Sequence, residues 1–110
     1  MAVTQKRFYQ GKPATVTPTK IYDLPANTTG ILTEVIITNA GSYQEVVGLY
    51  LVPQGGTPTD ANLLIGGIVV NGNTTVRQAF STPLELGDSF YSYQSLDKVT
   101  MTISGVLITP

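Results

Sequence analysis

The chain has 110 residues, of which 42% are hydrophobic and only 12% charged, with a net charge of −1. That is one domain's length with enough apolar material for a core, and too apolar for a disordered segment. With neither cysteine nor histidine, disulfides, thiolate chemistry and Cys/His zinc sites are excluded.

The charge is unevenly placed. Residues 1–20 hold Lys6, Arg7, Lys12 and Lys20 and no acid, whereas the remainder sets Arg77 and Lys98 against seven acidic residues. The opening residues lack the apolar core of a signal peptide, and no apolar run reaches the length of a membrane-spanning helix. Synthesis in a cytoplasm without export by the usual route is the expectation.

Taken in chain order, residues 1–18 read as an extended basic arm, because Pro13 and Pro18 disfavour helix. Phe8 and Tyr9 are the large groups that anchor such an arm, on its own body or on a neighbour. Lys20–Asp23 is a short strand stopped at Leu24-Pro25. Ile31–Asn39 is a long strand with Ile31, Thr33, Val35 and Ile37 on one face and Leu32 and Ile36 on the other. Both faces are partly apolar, as in a central strand. Asn39, Gly41 and Ser42 supply the following break. Glu45–Val52 sets Val47, Leu49 and Leu51 against Val46, Tyr50 and Val52.

Pro53–Thr59 is a loop by its turn chemistry, followed by a single helical turn at Asp60–Asn62. Leu63–Val70 is an apolar strand in which Gly66-Gly67 predicts a bulge. Asn71-Gly72-Asn73 is the strongest hairpin signal in the chain. Thr74–Phe80 alternates, Pro83–Gly87 connects, and Asp88–Gln94 is an aromatic strand with Tyr91 and Tyr93 opposite Phe90. Val99–Thr109 closes the chain, with Val99, Met101, Ile103 and Leu107 inward. The pattern predicts an all-β antiparallel sandwich, jelly-roll-like, of about seven or eight strands. Its domain is residues 19–110, preceded by the arm.

Chemical candidates are few. Asp23, Asp60, Asp88 and Asp97 sit at strand ends, where aspartate caps turns; no calcium-loop spacing joins them. Asn27-Thr28-Thr29 and Asn73-Thr74-Thr75 match the glycosylation sequon but read as turns. Gly55-Gly56 lacks the lysine of a phosphate loop. Lys6-Arg7-Phe8-Tyr9 alone mixes bases with aromatics, and an acidic body argues against nucleic acid. Tyr91 and Tyr93, with Tyr50, form either a sandwich core, a protein interface or a stacking platform for sugar rings. No catalytic residue, cofactor or metal site emerges.

Several segments resemble small β-rich virion proteins of tailed bacteriophages: TKIYDLPANTTGILTEVIITNAGS, VVGLYLVPQGG, DANLLIGGIVVNGNTTV, LELGDSFYSY and VTMTISGVLI. The likeness spans about Thr19 to Ile108 and leaves the arm outside. It implies a non-enzymatic structural subunit, a capsid decoration or cement protein at the junctions of capsid subunits. The alternative is a tail or fibre module binding host-surface glycan or a neighbouring virion protein. The expected partners are the major capsid protein, other virion proteins and further copies of the chain, a trimer among the possible assemblies. Neither nucleic acid nor membrane is an expected partner. The expected location is the virion, assembled in the host cytoplasm, and the expected docking residues are Lys6, Arg7, Phe8, Tyr9, Tyr91 and Tyr93.

Overall fold

A computed structural model describes residues 1–110. Eight strands form: β1 (Ala2–Gly11), β2 (Thr19–Asp23), β3 (Thr29–Asn39), β4 (Glu45–Val52), β5 (Leu63–Val70), β6 (Thr74–Leu84), β7 (Ser89–Gln94) and β8 (Val99–Thr109). One 3₁₀ turn, Asp60–Asn62, precedes β5. Two four-stranded sheets result, ordered β1-β8-β3-β6 and β2-β7-β4-β5. Every paired strand is antiparallel. This is an eight-stranded jelly roll, and the expected all-β sandwich is what the chain forms.

The connections alternate between the two ends of the molecule. At the upper end lie residues 12–18, 40–44, 71–73 and 95–98; at the lower end lie residues 24–28, 53–62 and 85–88 together with both termini. β3 and β4 occupy central positions, as their apolar faces predict. The core runs between the sheets through Leu32, Val35, Ile37, Val47, Leu49, Phe90, Met101 and Ile103, all excluded from solvent.

Three expectations are corrected. The first is the arm. Residues 2–11 are not a tail outside the domain: β1 pairs with β8 from Ala2↔Thr109 to Gly11↔Met101. Phe8 is buried in the core against Tyr22 and Phe90, with ring centroids 5.2 and 5.7 Å away. Burying that ring favours docking the segment onto its own sheet.

The second correction is the face of Leu32. The β3 register shifts between Leu32 and Glu34 against both neighbouring strands. This bulge at Thr33 inverts the side-chain alternation. Leu32 therefore points inward with Val35 and Ile37, while Ile31 faces solvent.

The third is Asn71-Gly72-Asn73. It does not close a hairpin within one sheet; it carries the chain from β5 in one sheet to β6 in the other. Asn73 adopts φ 57°, the left-handed conformation asparagine tolerates. Its backbone N–H donates to the Gly41 carbonyl at 2.9 Å. The turn chemistry is as expected, but its partner is the β3–β4 connection. The Gly66-Gly67 bulge does form: Gly67 has φ 78°, and the β4–β5 register shifts there.

Candidate docking surfaces

The six expected docking residues fall in separate places. Phe8 is core and Tyr9 packs partly against it, so neither is presented to a partner. Lys6 and Arg7 are exposed. They line a shallow depression of about 440 Å³ on the first sheet with Gln5, Thr33 and Ser104. The Arg7 guanidinium donates to Gln10 Oε1 at 3.0 Å and has no carboxylate partner.

Beneath that depression Gly105 is obligatory. A Cβ there would lie 2.1 Å from the Ile31 carbonyl oxygen and 2.6 Å from the Phe8 ring.

Tyr91 and Tyr93 are half-buried on the outer face of the second sheet, with Phe90 inward as predicted. Tyr91 pairs directly across from Tyr50. Tyr93 lies over Gly48, where a Cβ would meet its ring at 2.2 Å. The Tyr50 and Tyr93 rings are 6.3 Å apart, and Lys20 Nζ is 5.9 Å from the Tyr91 ring centroid. Desolvation raises the Tyr50 hydroxyl pKa above its ordinary 10.0, and Tyr93 and Asp60 add to the rise. The three rings cover one another's edges, which makes a flat aromatic ridge and no pocket.

The aspartates behave as turn residues. Asp88 accepts from the Glu85 backbone N–H at 2.8 Å. Asp23 accepts from Ser89 Oγ and pairs with Lys20. The Ser89 hydrogen bond, followed by that of Lys20, holds the Asp23 carboxyl below its ordinary 3.8. No three acidic side chains gather as a metal site would require.

The upper end is a surface that sequence reasoning missed. Three buried polar residues tie its loops together. Glu45, 1% exposed, accepts from the backbone N–H groups of Leu96 and Lys98, each at 2.9 Å. Gln94 donates to the carbonyls of Pro13 and Val99 and accepts from Val99 N–H. Asn39 donates to the carbonyls of Tyr43 and Val70 and accepts from Gly41 N–H. No buried side-chain polar atom lacks a partner. A fully satisfied network of this kind fixes loop geometry.

On this rigid base stand three exposed apolar side chains, one from each of three loops: Val16 at 73%, Tyr43 at 76% and Leu96 at 46%. Val16 sits at φ 68° with its N–H donating to the Gln94 carbonyl at 2.8 Å. A β-branched residue in that region is strained. Tyr43 left a trace in the sequence, as a lone aromatic inside an otherwise polar break. Val16 and Leu96 left none, because exposure of a single aliphatic residue follows from tertiary placement.

Comparison with protein-family models found no match, and comparison with curated protein sequences found none either. Solved structures do share the fold. A chain of infectious bursal disease virus, Gx strain, superposes with TM-score 0.55 at 13% identity over 96% of this chain. A chain of the T13 infectious bursal disease virus particle gives the same values. This chain spans less than a third of each, 31% and 30% respectively. At that identity the likeness is one of fold.

Proposed function

We propose that this protein is a structural subunit of a virus particle, and within that class a capsid decoration or cement protein seated at junctions of the shell. The observation that carries the reading is the strand order of the two sheets, superposing over 96% of the chain on chains of virus particles. Jelly rolls also serve in lectins and cupins, and fold alone does not assign function. What favours a packing role is the surface: few charges, no gathered acid groups and no enclosed pocket, but two surfaces fit for contact. The exposed Lys6 and Arg7 offer positive charge to an acidic shell surface, and Tyr50, Tyr91 and Tyr93 offer aromatic area. The mechanism is mechanical, since contacts repeated over many copies resist shell expansion.

Mass spectrometry and electron microscopy of purified particles test the class. A fixed copy number in ordered density on the shell is the expected result; absence from purified particles overturns it. For the cement role, particles lacking the protein should release their genome at lower temperature than complete ones. Equal release temperatures overturn that role and leave the class standing. Lys6→Glu with Arg7→Glu should lower shell occupancy without unfolding the chain, because both side chains are exposed. Truncating residues 1–12 is unsuitable, because it removes a sheet strand and Phe8.

A further inference from the structure

We infer that copies of this chain associate head to tail, the upper loops of one seated in the lower end of the next. The inference rests on the shape and charge of the two ends and holds whether or not the virion reading does.

The upper end is convex and apolar at its tips, through Val16, Tyr43 and Leu96. The lower end is concave. It carries two depressions of about 310 and 420 Å³ on either side of Leu86, which lines both. The first is otherwise walled by Met1, Ile108 and Pro110, the second by Leu24, Pro25 and Gln54. Leu86 is itself 56% exposed. Apolar knobs thus face apolar sockets.

The charges follow the same division. Lys12 and Lys98 lie in upper loops without a carboxylate partner; Asp60 and Glu85 lie in lower loops without a cation. Asp97 offsets one upper charge, and Glu45 is committed to backbone N–H groups. Pairing upper end with upper end would set knob on knob and lysine on lysine. Pairing upper with lower matches both shape and sign. Such a contact is heterologous, so it continues as a filament or closes as a ring.

Magnitude decides how strong this is. The end of the molecule measures 25 × 18 Å. A full contact therefore buries roughly 900 Å² in total, against the ~1,600 Å² of a standard interface. Exposed ion pairs add little, so the apolar knobs carry most of the affinity. Association is weak and depends on high local concentration.

Sedimentation of the purified chain across a concentration series, up to about millimolar, tests the inference. The wild type should grow beyond the dimer as concentration rises. Tyr43→Ser with Leu96→Ser blunts the upper end, and Leu86→Arg blocks both lower depressions. Each variant alone should associate about tenfold or more weakly. An equimolar mixture should form dimers and stop there, because one intact upper end meets one intact lower end. The mixed dimer also reports that both variants fold; Tyr43→Ser alone serves if the double variant does not. A wild type that stays monomeric throughout overturns the inference. A discrete dimer indifferent to Leu86→Arg does so too.

Discussion

Val16 is held in a conformation that valine avoids, at φ 68° with 73% of its side chain in solvent. The left-handed region costs a residue with a Cβ about 1–2 kcal/mol, and nothing in the monomer offsets this through packing. Replacing it with glycine removes the strain and adds roughly 0.5–1 kcal/mol of backbone entropy cost. Val16→Gly should therefore stabilise the dilute monomer by about 0.5–1 kcal/mol, read as a raised denaturant midpoint with unchanged slope. A lowered midpoint would show that the valine contributes packing. Glu45 predicts the opposite sign. Glu45→Ala leaves the Leu96 and Lys98 N–H groups without their acceptors, at a cost of about 2–4 kcal/mol. Amide exchange at those two positions should accelerate first. Asp23 supplies the pH dependence. Its folded pKa is depressed by Ser89 and Lys20, so its contribution is full above the unfolded value and is lost as pH falls through the folded one. Because Asp23 is exposed, the effect is small. The stability gap between wild type and Ser89→Ala should narrow as pH drops below the ordinary aspartate range, and a gap independent of pH would refute the assignment.

Among the elements, strands were legible and their faces only partly so. β4 and β8 run without a bulge where sequence alternation assigns their core residues, and Val47, Leu49, Met101 and Ile103 are indeed inward. β3 carries a bulge at Thr33, and one extra residue reverses every later assignment relative to the earlier ones. No composition signal marks that bulge, whereas Gly66-Gly67 announces its own. β1 was hidden for a related reason. Its polar, basic residues suit an edge strand, and its burial depends on Phe8 finding Tyr22 and Phe90, contacts distant in sequence. Phe8→Ala should cost about 3–5 kcal/mol, while Lys6→Glu with Arg7→Glu should stay within about 0.5 kcal/mol of wild type. Thermal melts separate the two. Equal effects would mean that β1 is held by its surface charges and not by its ring.

At the scale of the whole molecule, the topology sets how the chain must fold. In the sheet orders β1-β8-β3-β6 and β2-β7-β4-β5, only β4 and β5 are neighbours both in sequence and in a sheet. β1 must find β8 across nearly the full chain, and β2 must find β7. Loop closure is therefore costly before most native contacts form. The β4–β5 pair, joined to β7, is the cheapest starting structure, and the Asn39, Glu45 and Gln94 network then locks the upper loops as β8 arrives. Folding should consequently fall in the millisecond-to-second range typical of sandwiches, not the microseconds of helical bundles, with no effect of reductant in a chain without cysteine. Stopped-flow refolding measures this directly. Val47→Ala in β4 should slow folding, whereas Ile103→Ala in β8 should mainly accelerate unfolding. The reverse pattern would place the nucleus in the β1-β8-β3 sheet and reassign the order in which the two sheets form.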